Sequence, residues 1–486
     1  MKRKFFAAVF CALLLVCTLA SCRAPGVQPR ESIRETPVSP VPVVCRGEGE
    51  LVRDFARAEQ HLAFEQSAGE YIYQCLMAEK SEIDIADYKI PTDQITQLYT
   101  EVMNTHPDLF FVNSGISYSY DAQNLIITLK PSYRLTGKEL EAAREDCAKR
   151  LDEICAGVDP AWSDFEIALY LHDYLCLHFE YDTSYEIYDM YGFLTEGRGV
   201  CQAYTLTYMG LLSRYGIASG VAVSQGMNHI WNIVTLGGTP YHVDVTWDDP
   251  IPNTEGVALH ANFLRSDLGI AQTEHYGWES DLACTSDAYE STFVINVGLP
   301  FCYTAGKWFF ADGAERAILS ADFSTMSTQR VLETNDKWMA PGENSYYIDA
   351  FWGVGTYRGN LIYNTPSEVL AHNLQSGVVT KIEIPPPEGQ QIFGLWVMDE
   401  TVYYAVSDTQ GGQMQVLACS IADLVDYLWG DADQNGVVDG RDVTAICRYL
   451  EGLPTVCHTG AADLDDSGTV DARDADILRQ YLVENN

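Results

Sequence analysis

Apolar and polar residues near the start of the chain follow two different periods. From Leu51 to Ala78 and from Thr92 to Met103, apolar residues recur every three or four positions, which predicts helices. From Phe110 to Leu135 they alternate with polar residues on either side of the polar stretch 121–124, which predicts a β-hairpin. We therefore predict a small N-terminal α+β domain over residues 47–135.

A second domain is predicted over residues 136–285. The helical period returns from Gly137 to Val158 and from Trp162 to His178. Further along, apolar and β-branched residues from Asn228 to Val234 and from Tyr241 to Thr246 predict two strands joined by a glycine turn. Helices and strands are thus mixed in this domain.

The pattern becomes β-rich and weakly repetitive over residues 286–421. Three similar hairpins are predicted: Lys307–Ala311 with Ile318–Ser320, Asn360–Asn364 with Val369–Ala371, and Thr401–Ala405 with Val416–Ala418. Such hairpins resemble propeller blades, although three repeats are fewer than the four or more that close a propeller. We predict an open or partial array of blades.

Composition narrows the class of protein. The chain has 486 residues, 68 acidic and 30 basic side chains, and a formal charge of −38. Its length calls for several domains, and 47% hydrophobic residues exclude wholesale disorder. The acidic charge argues against nucleic acid as a partner. Fourteen irregularly spaced cysteines indicate neither a disulfide scaffold nor a zinc knuckle.

The first 22 residues read as an export signal. Basic residues at positions 2–4 precede an apolar run from Phe5 to Ala20, too short and too close to the N-terminus to suggest a spanning helix. The run ends in Leu19-Ala20-Ser21-Cys22, which resembles a bacterial lipobox and implies lipidation of Cys22. The alternative is an ordinary signal peptide cut nearby, or an uncleaved anchor.

A proline-rich stretch follows over residues 23–46. Five prolines and few large apolar groups predict an extended linker. With a lipid on Cys22, such a linker would hold the following domains away from a membrane. The predicted location is therefore extracytoplasmic, anchored by lipid to the membrane at the cell surface.

A cysteine opens a helix in the second domain. Gly197 and Gly199 interrupt regular structure, and a helical pattern then runs from Cys201 to Gly216. A thiol at a helix N-terminus lies at the positive end of the helix dipole, which favours the thiolate form. Cys201 is therefore a candidate nucleophile.

A histidine and an aspartate are candidates for its partners. A tight turn at residues 237–238 pairs Leu236 with Thr239, and the same register places His229 opposite Thr246. Asp244 is then the diagonal neighbour of His229 on the same face. A thiol, a base and an acid that orients the base are the groups required for covalent acyl transfer.

The motifs around these residues carry a family resemblance. The segments GRGVCQAY, NHIWN and YHVDVTWDDP, with His172-Asp173-Tyr174 and Tyr181-Asp182 upstream, resemble the transglutaminase-like superfamily of papain-type folds. The resemblance implies that Cys201 is the nucleophile, His229 the general base and Asp244 its orienting partner, with no cofactor for catalysis. Two residues depart from the family pattern. Asn228 stands where relatives often carry glycine, and Gln202 stands where many carry glutamate.

Neighbouring residues have simpler interpretations. Trp231 and Trp247 are expected to pack the core beneath the site. Asp248-Asp249, just before a proline, is expected to form a turn, and we assign no metal to it.

Two calcium loops lie in the C-terminal segment, residues 430–486. The first has Gly436 at position 6 and these residues at positions 1, 3, 5, 7, 9 and 12: Asp431, Asp433, Asn435, Val437, Asp439 and Asp442. The second repeats the pattern around Gly468: Asp463, Asp465, Ser467, Thr469, Asp471 and Asp474. Hard oxygen ligands suit two Ca²⁺ ions, with Val437 and Thr469 contributing carbonyl oxygens. Ser467 is a weaker ligand than Asp or Asn.

A short helix follows each loop, and its apolar residues match across the repeat. The pairs are Ile446 with Leu478, Tyr449 with Tyr481, and Leu450 with Leu482. This duplicated unit, Gly430 to Leu482, resembles a type I dockerin. The resemblance implies a cohesin-bearing scaffold protein as partner, read by loop positions 10 and 11, which are Gly440, Arg441, Ala472 and Arg473.

The predicted whole is a multidomain α+β protein: a papain-like transglutaminase core, a β-rich propeller-blade-like domain and a small α-helical dockerin with two calcium loops. The predicted function is that of a surface-anchored cysteine hydrolase, a peptidase or amidase with a protein or peptide substrate. Hydrolysis is preferred to transfer of the acyl group to an amine, because water is abundant at an open extracellular site. The alternative is a catalytically silent binding module that its dockerin assembles into a cellulosome-like, polysaccharide-degrading complex.

Overall fold

The computed structural model describes residues 45–48, 67–333, 336–339, 346–348, 351–374, 377–408, 414–422, 428–465, 467 and 469–485. The predicted export signal with Cys22, the linker up to residue 44, the stretch 51–66 and Gly468 lie outside these residues.

The N-terminal region places two helices beside a four-stranded sheet. The helices are α1 (Ala68–Met77) and α2 (Ile95–Thr105), close to two of the predicted helices. The strands are β1 (Cys45–Glu48), β2 (Ile83–Asp84), β3 (Val112–Tyr120) and β4 (Ile126–Tyr133), in the order β1-β3-β4-β2. Strands β3 and β4 form the predicted hairpin, and β1 joins β3 in parallel.

The second region surrounds a central buried helix. Its helices are α3 (Gly137–Cys155), α4 (Asp164–His178), α5 (Met190–Glu196), α6 (Cys201–Ser213), α7 (Val245–Asp248) and α8 (Asp267–Gln272). Its strands are β5 (Glu180–Tyr181), β6 (Arg198–Gly199), β7 (Ala218–Ser224), β8 (His229–Leu236), β9 (Thr239–Val243) and β10 (Trp278–Ser280). The last four form an antiparallel sheet in the order β10-β7-β8-β9, and α6 packs against it.

The register of β8 and β9 agrees with the prediction as far as Val243. Leu236 pairs with Thr239, and Asn232 pairs with Val243. The predicted pair of His229 with Thr246 is wrong, because the strand ends at Val243. Asp244 caps the next helix by accepting a hydrogen bond from the Trp247 amide at 3.2 Å, which turns the chain out of the sheet.

A continuous hydrophobic core joins these two regions to the first sheet of the β-rich region. Within it, the ring centroids of Trp162 and Trp308 lie 4.7 Å apart, and those of Phe165 and Phe323 lie 4.9 Å apart. Helix α4, which carries Phe165, begins with a capping box between Ser163 and Glu166. The predicted boundaries near residues 135 and 285 therefore cross shared packing.

The β-rich region consists of antiparallel sheets in the described part of the chain. A four-stranded sheet contains β11 (Cys302–Thr304), β12 (Lys307–Asp312), β13 (Ala317–Asp322) and β14 (Ser327–Leu332). A second contains β17 (Val354–Tyr357), β18 (Asn360–Asn364), β19 (Val369–Asn373) and β20 (Val379–Ile382). Strands β21 (Gln390–Met398), β22 (Thr401–Asp408) and β23 (Gln415–Ser420) form a third, and β15 (Lys337–Met339) pairs with β16 (Tyr346–Ile348).

All three predicted hairpins of this region form, as β12 with β13, β18 with β19, and β22 with β23. The arrangement of the sheets as propeller blades stays a prediction.

The C-terminal region contains α9 (Gly440–Leu450), α10 (Thr459–Ala462) and α11 (Ala472–Asn485). Ile446 and Leu478, one of the matched pairs, are buried together in a separate small core. Tyr449 and Tyr481, another matched pair, are 43% and 52% exposed. The two repeats therefore share a core and leave their tyrosines at the surface.

Among the described residues, none of the helices has the length and apolar composition required to span a bilayer.

Candidate functional site

Local backbone geometry fixes the position of Cys201 as the first residue of α6. Residues of β5 and β6 pair in parallel just before it. A Cβ atom at Gly199 would lie 2.5 Å from Cδ2 of Phe193 and 2.6 Å from Cβ of Ala203, so glycine is required for this close approach. The buried Asp182 carboxylate forms an ion pair with Arg198 in the same segment. The start of the helix is therefore held rigidly.

His229 begins strand β8 and contacts Asp244 directly. Its Nε2 atom donates a hydrogen bond to Asp244 Oδ2 at 2.6 Å. Its other ring nitrogen, Nδ1, is buried and has no nitrogen or oxygen partner among the described residues. The thiol of Cys201 acts on the same imidazole through hydrogen bonding and charge. The structure thus brings the three predicted residues together, with the imidazole between thiol and carboxylate.

Charge governs the protonation of this cluster. Burial lowers the pKa of His229, but the charge and hydrogen bond of Asp244, and then the Cys201 thiol, outweigh burial and raise the pKa to about 10. Burial also opposes ionisation of Asp244, yet His229 and His275 hold the pKa of this carboxyl well below its usual range. At neutral pH the imidazole is therefore protonated, the state that stabilises a neighbouring thiolate.

His275 is a member of the site that the sequence analysis missed. Its Nε2 atom donates to Asp244 Oδ2 at 2.8 Å, and its Nδ1 atom lies 3.1 Å from Thr273 Oγ1. Both its ring and the Asp244 side chain are buried. Nothing in the local sequence indicates this contact, because His275 lies in a loop without a periodic pattern.

Two tryptophans pack around the histidines. The rings of Trp231 and Trp247 each stack on His229 with centroids 5.5 Å away, and Trp247 lies 4.3 Å from His275. Trp231 is buried, as expected, and donates its indole N–H to His242 Nδ1 at 2.9 Å. These rings limit the movement of both imidazoles.

The cluster of His229, Asp244 and His275 has the geometry of hydrogen bonds. The distances of 2.6 and 2.8 Å from the two Nε2 atoms to Asp244 Oδ2 are shorter than the roughly 3.3 Å between ligand atoms around a tetrahedral zinc ion. A shared proton fits between these atoms better than an ion does.

The upstream motif residues lie beneath the site. His172 bridges two carboxylates, with Nδ1 2.9 Å from Asp173 Oδ1 and Nε2 3.2 Å from Asp248 Oδ2. Asp248 also accepts hydrogen bonds from the backbone and side chain of Asn262. Asp248 is therefore more than the simple turn residue that was expected, because its buried carboxylate joins three segments of the domain.

A cavity of about 210 Å³ lies between the N-terminal region and the segment next to Cys201. Gln202 lines it, donates through Nε2 to Asn104 Oδ1 at 2.9 Å, and keeps a buried Oε1 atom without a partner among the described residues. Tyr188 also lines the cavity, and burial and then the charge of Cys201 raise its pKa. The cavity is therefore lined by Gln202, the residue that follows Cys201 in α6, although Cys201 itself does not line it.

The three predicted catalytic side chains are completely buried. Cys201, His229 and Asp244 are all at most 1% exposed. The expectation of an open site is therefore wrong, because packing around the start of α6 covers the thiol. A molecule that reacts with this thiol would need a local opening.

The first calcium loop brings carboxylates together. Oxygen atoms of Asp431, Asp433 and Asp442 lie within 4.8 Å of one another. Burial and then the Asp442 charge raise the pKa of Asp431 to about 8, and burial and then the Asp433 charge raise that of Asp442 to about 7. A buried Asp431 oxygen without a partner completes a site that fits a hard cation such as Ca²⁺.

The second loop repeats this geometry. Oxygen atoms of Asp463, Asp465 and Asp474 also lie within 4.8 Å of one another. Asp474 Oδ2 accepts from the Asp471 amide at 2.8 Å, as Asp442 Oδ2 accepts from the Asp439 amide at 2.8 Å. Both loops are therefore prepared for a cation in the same way.

The remaining predicted ligands also lie in these loops. The Asn435 Oδ1 atom accepts from the Val437 amide, and the Ser467 hydroxyl donates to the Thr469 carbonyl. Asp439 and Asp471, at position 9, accept hydrogen bonds from the amides of Arg441 and Arg473, each at 2.7 Å. Position 9 often reaches calcium through water, which agrees with this use of the two carboxylates.

Comparison with protein families identifies two parts of the chain. Residues 152–245 match the transglutaminase-like superfamily, and this segment includes Cys201, His229 and Asp244. Residues 429–483 match the type I dockerin domain. No curated protein matches the chain significantly.

Proposed function

We propose that this chain, which combines a transglutaminase-like domain with a type I dockerin domain, is a cysteine hydrolase that cleaves peptide or amide bonds. The observation that carries the proposal is the position of the His229 ring, with Asp244 at 2.6 Å on one nitrogen and the Cys201 thiol acting on the same ring. A thiol, an imidazole and a carboxylate in this order perform acyl transfer in cysteine hydrolases.

In the proposed reaction, the Cys201 thiolate attacks the carbonyl carbon of the substrate. The C–N bond breaks, and His229 gives its proton to the departing amine, which leaves a thioester on Cys201. Water then attacks the thioester, His229 takes a proton from the water, the C–S bond breaks, and the acid product leaves as the Cys201 thiolate and the protonated imidazole are restored. Asp244 and His275 keep the imidazole oriented during both steps.

Backbone amides at the start of α6 are placed to stabilise the oxyanion. The first amides of a helix have no carbonyl partner within the helix, and they point outward at its positive end. Because Cys201 is the first helical residue, a carbonyl carbon bonded to its sulfur would hold its oxygen near these amides.

Water is the proposed acceptor of the acyl group. The reason is the small size of water, and not the open site that was expected. The site is buried rather than open, so any acceptor must pass through a transient opening. Water needs the smallest opening, whereas an amine on a second protein would need a wide channel. The cavity beside Gln202 is the proposed place for part of the acyl donor.

The dockerin directs the enzyme to its place of action. A type I dockerin implies a cohesin-bearing scaffold as partner, and calcium in the two loops would order the helices that carry Gly440, Arg441, Ala472 and Arg473. We further propose export and lipidation at Cys22. Metabolic labelling with an alkyne fatty acid, lost in Cys22→Ala, tests the anchor.

The second candidate is a silent transglutaminase-fold module that serves only assembly. The complete burial of Cys201 favours it, because a nucleophile that never meets substrate needs no access.

Turnover of a peptide and cell-wall-fragment library decides between the two candidates. The enzyme predicts amide cleavage by wild type, complete loss in Cys201→Ala, and unchanged rates in Cys176→Ala, which alters another buried cysteine of the same domain. Cleavage that survives Cys201→Ala, or no cleavage by wild type across the library, would remove the enzymatic proposal.

A further inference from the structure

The first calcium loop packs against the β-rich region through its backbone. The carbonyl oxygen of Asn435 accepts hydrogen bonds from the Ala305 amide at 2.5 Å and from Thr304 Oγ1 at 3.3 Å. A Cβ atom at Gly359 would lie 2.5 Å from the Cα of Gly436, so two glycine backbones meet here. The turns that follow β11 and β17 therefore both contact this loop.

Charged side chains add to the contact. Arg441, at position 11 of the first loop, forms an ion pair with Asp159, whose side chain is 9% exposed between α3 and α4. Arg358 extends Nη2 to within 2.7 Å of His458 Nε2, between the two loops. The first repeat is thus attached both to the transglutaminase-like domain and to the β-rich region.

The second repeat has a different environment. Arg473, which corresponds to Arg441, pairs with Asp465 of its own loop at 3.2 Å, and its side chain is 76% exposed against 31% for Arg441. Ala472 and Tyr481 on the same helix are exposed as well. Gly440 and Tyr449, the matching residues of the first repeat, are exposed too, so the two repeats differ chiefly in their position-11 arginines: Arg441 is paired with another domain, whereas Arg473 is not.

We propose that the two repeats have different partners: the first clamps the dockerin onto its own chain, and the second binds cohesin through Ala472, Arg473 and the exposed face of α11. This inference rests on the proposed docking function. For Arg441 to contact cohesin, its ion pair would have to break and leave the mostly buried Asp159 carboxylate with the Tyr303 hydroxyl and the Ala161 amide as donors but without a cationic partner, which is costly. Arg473 has no ion pair with another domain that would have to break.

The clamp fixes the orientation of the enzyme on its scaffold. Because Asp159 follows α3 and precedes α4, a helix that packs against the Cys201 helix, the contact holds the catalytic domain at a set position relative to bound cohesin. The docked enzyme would then present one face to neighbouring proteins of the scaffold.

Hydrogen exchange at the Ala305 amide tests the clamp without any cohesin. In the full chain with calcium, this amide is expected to exchange slowly, and Gly359→Asn is expected to speed its exchange by about tenfold or more. Gly377→Asn is the matched control, because Gly377 lies in the connection between β19 and β20 of the same sheet, with a similar positive φ of 71° and open space around its Cα. Exchange that is equally slow in Gly359→Asn, or already unprotected in wild type, would overturn the clamp.

Cohesin affinity tests the assignment of the second repeat. With a recombinant type I cohesin that binds wild type, Arg473→Glu is expected to weaken binding by about tenfold or more, and Arg441→Glu by less than about threefold. Asp159→Ala removes the ion pair of the clamp without changing the dockerin, and it is expected to leave the affinity unchanged. Calcium titration of each variant checks that both loops still bind the ion.

Other outcomes separate the assignment of the two repeats from the docking function on which it rests. A stronger effect of Arg441→Glu than of Arg473→Glu overturns the assignment of the repeats while leaving cohesin binding intact. Failure of wild type to bind any type I cohesin in saturating calcium contradicts the proposed docking function itself, and the second-repeat assignment with it. Ala305 exchange still decides whether the clamp exists.

Discussion

The His275 imidazole lies 2.8 Å from the same Asp244 oxygen that His229 contacts at 2.6 Å. One carboxylate oxygen therefore receives two imidazole N–H groups, and the other oxygen receives the Trp247 amide at 3.2 Å. Such a carboxylate has little freedom to rotate. His275 is thus a positioning residue, which acts on the thiol only through Asp244 and His229.

Replacement of His275 is expected to reduce catalysis moderately. His275→Ala leaves Asp244 with fewer donors, and we expect kcat/KM to fall about tenfold, mostly in kcat, with partial rescue in His275→Gln. Asp244→Asn, which removes the orienting charge itself, is expected to lower kcat by about ten-thousandfold. Equal losses in the two variants, or a change confined to KM, would contradict the positioning role.

The buried ion pair predicts a specific dependence of stability on alkaline pH. The pKa of His229 rises from an unfolded value of 6.5 to about 10, so its contribution to stability is complete below pH 6.5 and is lost as pH rises towards 10. The melting temperature of wild type should therefore fall over this range more than that of His229→Gln. Parallel curves for the two proteins would show that the pair does not form.

Calcium binding by the first loop is expected to release protons. Since the pKa values of Asp431 and Asp442 are raised to about 8 and about 7 without metal, part of the site is protonated at neutral pH. Affinity should rise between pH 6 and pH 8, and calorimetry in buffers of different ionisation enthalpy should detect the released protons. Asp431→Asn should reduce this release and leave the contribution of Asp442.

The second loop offers a separate test. Ser467 provides a weaker ligand than the Asn435 of the first loop, so Ser467→Asp is expected to increase the calcium affinity of the second site and leave the first unchanged. A titration that resolves two ions per chain measures both sites in one experiment. An unaltered second site would indicate that position 5 does not contact the ion.

Close packing before Cys201 is expected to make Gly199 intolerant of substitution. A methyl group there would overlap Phe193 and Ala203, so Gly199→Ala should lower the free energy of unfolding by about 1–3 kcal/mol. Gly220→Ala, in the same domain but with open space around its Cα, is the matched control. Denaturant unfolding of both variants checks the difference, and equal stability would refute the packing argument.

Short-range rules predicted the scaffold of the site well. The two glycines at residues 237–238 define a tight turn, and this turn determines the register of β8 and β9. The helix that begins at Cys201 also follows from local signals, because glycines precede it and apolar residues recur within it. The three predicted triad residues meet because these two elements are packed together.

Long-range packing accounts for what the sequence analysis missed. Helix α7 has four residues and no periodic pattern, so the end of β9 at Val243 was not predictable. His275 reaches Asp244 from a loop 31 residues away, and Arg441 reaches Asp159 across 282 residues. The burial of Cys201 likewise depends on residues from other parts of the chain.

Alkylation of Cys201 by iodoacetamide tests the central claim most directly. Mass spectrometry of the labelled protein reports the rates at Cys201 and at the buried Cys176 in the same molecule. Because both thiols are buried, an activated thiolate predicts labelling of Cys201 near neutral pH that is far faster than that of Cys176 and lost in His229→Gln. Labelling of Cys201 no faster than that of Cys176, or equally fast in His229→Gln, would contradict the cysteine–histidine–aspartate site.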